Sequence, residues 1–223
     1  MLSNSKLGFG LMRLPKDKQG NIQTDEVQRM VDSFMDKGFN YFDTAYAYAG
    51  SEEAIKETLV KKYPRDSFTL ADKLPAWKLK SQDDVQRIFT ESLQLCGVDY
   101  FDFYLLHSIE KSHYPTYEKY QCFDFVKEMK KQGKIKYIGF SFHDDAQFLD
   151  KVLTEHPEMD FVQLQLNYLD WENGVIQSRQ NYEVARKHQK PIVVMEPIKG
   201  GTLASFQPDI EKIYKDYAPD SSI

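Results

Sequence analysis

The sequence predicts an α/β protein of the (β/α)₈ TIM-barrel type that is incomplete, with about seven of the eight strands. Two observations support this prediction. Short apolar segments recur about every 30 residues, which is the length of one strand followed by one helix. The longer segments between them have helical periodicity, and strands that alternate with helices favour a parallel sheet. A length of 223 residues suits a single barrel domain that spans 1–223.

Segments rich in β-branched and aromatic residues are the predicted strands. They are KLGFGLMRL (6–14), NYFDTA (40–45), FTLADKL (68–74), FDFYLLHS (101–108), KYIGFSF (136–142), FVQLQLNYL (161–169) and PIVVMEP (191–197). The run FDFYLL is almost continuously apolar, which indicates a strand buried on both faces, as in parallel sheets. The segment GFGLMRLP lacks the last glycine of a dinucleotide-binding turn, so a doubly wound sheet is disfavoured.

Several connecting segments carry helix signals. DEVQRMVDSFMDKG follows Thr24 as a predicted cap, has acidic residues in its first turn and ends at Gly38. SQDDVQRIFTESLQLCG repeats this pattern from Ser81 to Gly97, and FDFVKEMKKQGK ends at Gly133 after lysines that suit a helix C-terminus. The C-terminal TLASFQPDIEKIYKDYAPDSSI predicts a loop and a short amphipathic helix, with no eighth strand.

Composition disfavours several classes of partner. The net charge is −5 and no basic block occurs, so neither nucleic acid nor an anionic membrane is expected as a partner. The start MLSNSKLGFG lacks the apolar core of a signal peptide, and no apolar run is long enough to span a membrane. Cys96 and Cys122 form no metal-spaced pair and are interpreted as reduced packing residues of a cytoplasmic protein. His113 and His143 lack a suitably spaced third ligand, so they are interpreted as loop residues and no metal site is predicted.

Polar residues lie at or just beyond the ends of predicted strands two, three and four: Asp43, Tyr48, Lys73 and His107. Each alone has an ordinary interpretation, as a turn residue, a packing tyrosine, a solvated lysine and a hydrogen-bonded core histidine. The carboxyl ends of barrel strands, however, meet at one mouth, and neighbouring strands are about 5 Å apart. We therefore expect the four side chains to converge on one site.

Seven motifs follow one another along nearly the whole chain. They are GFG (8–10), FDTAYAYAGSE (42–52), ADKLP (71–75), DYFDFYLLHS (99–108), GKIKYIGFS (133–141), FVQLQLNY (161–168) and MEPIKGG (195–201). In this order they resemble the aldo-keto reductase family. The variants GFGLMRLP, GFSFHD and MEPIKGG look most like a bacterial and archaeal branch whose longer members often add a C-terminal iron–sulfur module. The clustered cysteines that such a module needs are not in this sequence.

The resemblance implies an oxidoreductase that reduces small aldehydes or ketones by hydride transfer from a bound nicotinamide cofactor, NADPH or alternatively NADH. By position, Asp43, Tyr48, Lys73 and His107 would form the catalytic tetrad, with Tyr48 as general acid. The Lys73 ammonium would favour the phenolate and so make Tyr48 a better acid. Asp43 would keep Lys73 charged, and His107 would orient the substrate carbonyl.

The same resemblance implies positions that bind the cofactor. By position they are Gly10, Met12, Ser141, Gln163, Met195, Pro197, Ile198, Gly200 and Gly201. Ser141 and Gln163 would bind the nicotinamide carboxamide, and the Met195 thioether would pack on the nicotinamide ring. The stretch 197–201 would approach the pyrophosphate, where glycine permits close backbone contact.

Three aromatic residues are expected near the substrate. Trp77 would line the pocket or cover the barrel rim, and Tyr46 is a minor rival of Tyr48 for the acid role. Phe142 stands where family members commonly have an asparagine that assists Ser141, so nicotinamide anchoring is expected to be weaker at this position.

The last βα unit and the N-terminal hairpin plug of the family barrel are not expected within 1–223. Strands one and seven would then have open edges, which parallel sheets tolerate poorly. The chain is therefore expected to be a fragment, or to be covered by a partner chain, an exchanged segment or a distorted closure, with self-association through the edges as one outcome. Adenosine contacts would be lost and activity impaired. The alternatives are a non-enzymatic nicotinamide-binding or regulatory subunit and, less favoured, a metal-dependent barrel enzyme.

Overall fold

A parallel sheet of seven strands forms the centre of the protein, for which the computed structural model describes residues 6–205 and 208–218. The strands are Gly8–Gly10 (β1), Tyr41–Asp43 (β2), Thr69–Pro75 (β3), Phe101–Ile109 (β4), Ile135–Phe142 (β5), Phe161–Gln165 (β6) and Ile192–Met195 (β7). Each strand pairs in parallel with the next one along the chain. The predicted fold class, an incomplete (β/α)₈ barrel, is confirmed.

Helices lie between successive strands along the chain, and one more follows the last strand. They are Thr24–Asp36 (α1), Ser51–Ile55 (α2), Asp83–Cys96 (α3), Tyr114–Lys119 (α4), Cys122–Lys131 (α5), Ala146–Glu155 (α6), Ser178–Lys187 (α7) and Pro208–Tyr217 (α8). Helix α2 continues into one π-helical turn, Lys56–Val60. Among the described residues, no helix has both the length and the apolarity that a membrane span requires.

The residues at which helices and strands begin and end are set by local hydrogen bonds and backbone conformation more than by the hydrophobic pattern. The predicted Thr24 cap is wrong by one residue, because Thr24 is already helical and Gln23 precedes it without a side-chain cap. Gly97 ends α3 in the left-handed conformation, as predicted. The strand predicted over 161–169 stops at Gln165, because the Asn167 side chain then donates to the Asp170 carboxylate and accepts from the Asp170 backbone N–H in a turn.

Side-chain alternation along the strands separates two cores. Outward residues such as Leu70 and Leu74 of β3 pack in the large core between sheet and helices. Inward residues such as Ala71 of β3 and Phe103 of β4 form a smaller core inside the barrel. Lys73 continues the inward series of β3, because successive side chains of a strand point to opposite faces.

The two outer strands of the sheet lack a second strand neighbour within the described ranges. There β1 pairs only with β2, and β7 pairs only with β6, which confirms the expected open edges. The loops that follow the two edge strands are joined by an ion pair, in which the Arg13 guanidinium contacts a Glu196 carboxylate oxygen at 2.9 Å. Self-association through these edges stays a prediction.

Candidate active site

Strand register brings the inward polar residues to one end of the barrel. Asp43 ends β2, Lys73 lies near the end of β3 and His107 near the end of β4. On the far side, Ser141 of β5 is paired with Gln163 of β6. All five positions are inward-facing, since each is an even number of residues from an inward core residue on its own strand. The convergence expected from the sequence is therefore present.

Lys73 is the centre of the site and is 1% exposed. Its ammonium donates to the Asp43 carboxylate, to the Thr44 carbonyl at 2.7 Å and to the Tyr48 hydroxyl at 3.4 Å. These bonds use all three ammonium hydrogens. Burial acts to lower the pKa of Lys73, but interaction with the Asp43 carboxylate, and to a smaller extent with Tyr48, outweighs it and raises that pKa above its ordinary value. Lys73 is thus a charged ammonium at neutral pH.

Asp43 joins Lys73 to Gln163, two residues that lie 90 positions apart in the chain. One carboxylate oxygen accepts from Lys73, and the other accepts from the Gln163 side-chain amide at 2.9 Å, across 120 positions of sequence. The resemblance implies that Gln163 binds the nicotinamide carboxamide, and that role stays a prediction. Its amide nitrogen also holds the carboxylate of the buried ion pair, a contact that no sequence motif indicates.

Tyr48 lies in the loop between β2 and α2, and its hydroxyl faces Lys73. Burial raises the pKa of Tyr48 above its ordinary value, and the nearby Lys73 ammonium acts in the opposite direction. The expected effect of Lys73 is therefore present, but it does not set the net direction of the shift. The Lys73 ammonium also lies 4.8 Å from the centre of the Tyr48 ring.

His107 is a partly buried imidazole beside Tyr48 and Trp77. Its ring centre lies 5.6 Å from that of Tyr48 and 5.1 Å from that of Trp77. Its Nδ1 atom is buried and has no hydrogen-bond partner among the described residues. Burial, with repulsion from Lys73, lowers the pKa of His107 to about 3. The imidazole is thus neutral at physiological pH.

We expect acid to destabilise the protein through His107. The folded pKa is about 3 and the unfolded value is about 6.5, so the unfolded chain takes up a proton first as the pH falls. Stability from this group is complete above about pH 6.5 and declines below it, by up to about 1.4 kcal/mol per pH unit. Urea unfolding of wild type and His107→Asn between pH 7 and pH 4.5 should show a flatter profile for the variant. Parallel profiles would contradict this assignment.

Ser141 and Ser108 form a second polar contact inside the barrel. The Ser141 oxygen accepts from the Ser108 backbone N–H at 2.7 Å, so its own hydrogen remains available to donate. Ser108 adopts the left-handed conformation, with φ of 56°, which turns this N–H toward Ser141. Ser141 is 1% exposed, and its expected contact with the nicotinamide carboxamide stays a prediction.

The segment after β7 is open and rich in left-handed backbone. Gly200 and Gly201 have φ of 63° and 97°, and a Cβ added at Gly200 would lie 3.5 Å from the Arg13 guanidinium carbon. The expected cofactor residues Met195, Pro197 and Ile198 lead directly into this segment. On the opposite edge, Gly10 is paired with Asp43 and Met12 is exposed. Their contacts to a cofactor stay predictions.

Two of the expected substrate residues point away from the barrel mouth. The Tyr46 hydroxyl donates to Glu91 of α3 at 2.8 Å, so Tyr46 is no rival of Tyr48. Phe142 is 2% exposed and packs toward Phe148 of α6, because it alternates with the inward Ser141. Trp77, by contrast, lies at the rim, where its ring contacts His107.

Sequence reasoning missed the anchor of the loop that carries Tyr48. The Thr44 and Ser51 hydroxyls are 2.7 Å apart and buried, and Ser51 donates to the Leu11 carbonyl at 3.1 Å. This network joins Leu11, which follows β1, and Thr44, which follows β2, to Ser51 at the start of α2. Backbone acceptors such as those of Thr44 and Leu11 leave no signal in a sequence.

These observations define a parallel α/β barrel protein with a buried lysine–carboxylate pair, a tyrosine and a neutral histidine at its mouth. The chain belongs to the aldo/keto reductase family, whose model matches residues 6–221.

The chain is similar to proteins of fungi and bacteria. It is 28% identical over 211 residues to aldo-keto reductase str7 of Strobilurus tenacellus, covering 89% of this chain and 60% of that protein. It is 26% identical over 240 residues to the NADH-specific methylglyoxal reductase of Escherichia coli strain K12, covering 96% and 68% respectively. The chain thus spans 60% and 68% of the length of these two relatives.

The fold is shared with solved structures. A thermostable aldo-keto reductase crystallised with the inhibitor epalrestat superposes with a TM-score of 0.75 at 21% identity, covering 97% of this chain and 76% of that chain. At this identity the likeness establishes the fold alone.

Proposed function

We propose that this chain is a nicotinamide-dependent oxidoreductase that reduces small aldehydes or ketones, with Tyr48 as proton donor. The observation that carries the proposal is the contact of one buried ammonium, Lys73, with both the Asp43 carboxylate and the Tyr48 hydroxyl. A charged lysine that touches a buried phenol can stabilise the phenolate that forms when the proton leaves. Membership of the aldo/keto reductase family supports this chemistry.

The residues at the mouth fit a nicotinamide cofactor. The Ser141 hydroxyl has a free hydrogen, and the Gln163 carbonyl oxygen is not used by Asp43, so both suit a carboxamide group. Gly200 and Gly201 expose their backbone in the left-handed conformation, which suits close approach of a pyrophosphate. When bound, the cofactor supplies the hydride. The resemblance favours NADPH, while the Escherichia coli relative is named NADH-specific.

The remaining tetrad residues would position the substrate and the proton. The neutral His107 imidazole carries one N–H, which can donate to a carbonyl oxygen without adding charge beside Lys73. Asp43 holds Lys73 in place and is itself held by Gln163. Trp77 covers His107 at the rim and would exclude water from one side of the substrate. The cytoplasm is the compartment we expect.

The proposed function is tested by separating cofactor binding from turnover. NADPH and NADH are titrated separately while tryptophan fluorescence is followed, since Trp77 stands at the mouth. A panel of aldehydes and ketones is then added, and absorbance of the reduced cofactor reports its oxidation. Saturable binding with substrate-dependent oxidation is the expected result. No binding of either cofactor would reject the proposal.

A second candidate is a non-enzymatic nicotinamide-binding subunit on the same barrel. Binding of the cofactor without oxidation in the presence of any carbonyl compound would support this second candidate.

A further inference from the structure

A buried group of acidic and thiol side chains lies behind the candidate active site, on the helix side of β3. Glu52 comes from the first turn of α2, Asp72 from β3 and Cys96 from the last residue of α3. Their exposed fractions are 3%, 0% and 0%. Asp72 precedes Lys73 on the strand, so the two side chains point to opposite faces of the sheet.

The side-chain atoms of this group are close enough to share one ion. The ligand atoms of Glu52, Asp72 and Cys96 all lie within 4.8 Å of one another. The Cys96 sulfur is 3.9 Å from an Asp72 carboxylate oxygen. Tetrahedral Zn²⁺ with bonds of about 2.0 Å to oxygen and about 2.3 Å to sulfur requires separations between ligand atoms of about 3.5 Å. Small rotations of the side chains would reach this geometry.

An independent observation points to a ligand at this position. The Ser92 and Tyr104 hydroxyls and one Glu52 oxygen are buried and have no hydrogen-bond partner among the described residues. Ser92 lies one helical turn before Cys96 and its hydroxyl is beside Glu52. The Tyr104 phenol is fully buried and close enough to Asp72 and Glu52 for their charges to act on it. Buried polar atoms without partners are costly, so several at one place indicate a bound group.

Charge also favours a cation. Three groups that can become anionic meet in the interior, and the charges of Glu53 and Glu91 act on Glu52 with the same sign. The ammonium of Lys73 points away and is bound to Asp43. A divalent cation would offset two of the three negative charges that the deprotonated ligands carry.

We propose that Glu52, Asp72 and Cys96 bind one Zn²⁺ ion between β3 and helices α2 and α3. A thiolate ligand beside two carboxylates selects Zn²⁺ over Mg²⁺ and Ca²⁺, which prefer oxygen ligands alone. The Ser92 and Tyr104 hydroxyls would donate to the ligating carboxylates and orient them. The site lies on the helix side of the sheet, away from the barrel interior, and it is independent of the proposed carbonyl reduction.

Cobalt substitution tests the site in the full 223-residue chain. The protein is treated with a chelator, dialysed and titrated with Co²⁺, whose bond to a thiolate gives a charge-transfer band in the near ultraviolet. We expect the band to saturate at about one equivalent and to disappear on addition of Zn²⁺. Binding should tighten as the pH rises, because the metal displaces protons. Melting temperature should rise with Zn²⁺ concentration.

The matched control is the second buried cysteine, Cys122 of α5. Cys122→Ser should retain the band, whereas Cys96→Ser should lose it and should no longer be stabilised by Zn²⁺. Glu52→Gln serves as the second ligand variant, and circular dichroism verifies that each variant is folded. Should both ligand variants unfold, the wild-type titration alone decides. A wild-type protein without the band, or a band that persists in folded Cys96→Ser, would show that the group holds only shared protons or trapped water and would overturn the proposal.

Discussion

Replacing Tyr48 by phenylalanine is expected to lower carbonyl reduction by about 10²–10⁴-fold, the usual contribution of a positioned general acid. Within the described part of the chain, the Tyr48 hydroxyl is the one proton-bearing side-chain group that Lys73 contacts, and phenylalanine removes that proton while it keeps the ring. Burial raises the pKa of Tyr48, so the wild-type hydroxyl is fully protonated at neutral pH and able to donate. Initial rates with a saturating aldehyde measure the loss.

Two measurements make this result specific. Cofactor affinity, followed by tryptophan fluorescence, should be unchanged in Tyr48→Phe, because the ring still fills its place. Tyr46→Phe is the matched control: its hydroxyl contacts Glu91 on α3, so it should lose about 1 kcal/mol of unfolding free energy and no activity. Oxidation of the cofactor at an undiminished rate in Tyr48→Phe would refute the assignment of the proton donor.

Replacing Lys73 by methionine is expected to lower the free energy of unfolding by about 3–5 kcal/mol, because it leaves the Asp43 carboxylate without its cation. Lys73 is 1% exposed and the Asp43 side chain 15% exposed, so water replaces little of the lost interaction. The Thr44 carbonyl also loses its donor. Urea unfolding at neutral pH measures the change, and turnover should fall as well, since the Tyr48 phenolate is no longer stabilised.

The double variant Asp43→Asn/Lys73→Met tests whether the loss comes from the unpaired Asp43 charge. It removes both charges, so it should be less destabilised than Lys73→Met alone. Lys61→Met is the exposed control, since Lys61 pairs with Glu57 on a helix surface with both side chains about half exposed, and we expect a loss of about 0.5 kcal/mol or less. A loss in Lys73→Met no larger than in Lys61→Met would show that the buried pair adds no stability.

The pH dependence of the Lys73 effect has a definite sign. Interaction with Asp43 raises the folded pKa of Lys73 above the unfolded value of about 10.4. The stability that the pair contributes is therefore complete below about pH 10 and is lost only as the pH rises through the folded pKa. The difference between wild type and Lys73→Met should be constant across neutral pH.

Local patterns in the sequence were sufficient to locate the strands and to select the four residues at the centre of the candidate site. Short apolar segments rich in β-branched and aromatic residues located all seven strands, and Gly97 marked the end of α3. The ends of parallel strands must meet at one edge of a barrel, so Asp43, Lys73 and His107 could be placed together from sequence alone. Thr24 was misplaced by one residue, because cap geometry depends on hydrogen bonds rather than on residue type.

Contacts across the barrel could not be read from the sequence. The hydrogen bond between Gln163 and Asp43 spans 120 positions of sequence. The Phe142 side chain points outward, toward Phe148, because of the face of β5 on which it lies, and the sequence alone does not specify that face. The group of Glu52, Asp72 and Cys96 is assembled from a helix start, a strand and a helix end.

By itself, then, the sequence determined the order of strands and helices, the family and the residue types at the barrel mouth, because periodicity and motif order are local properties of a chain. Only the tertiary structure decided which side chains touch, which pKa values burial shifts and where polar atoms are left without partners. Those properties depend on distance and on exclusion of water, and both are set by residues far apart in the chain.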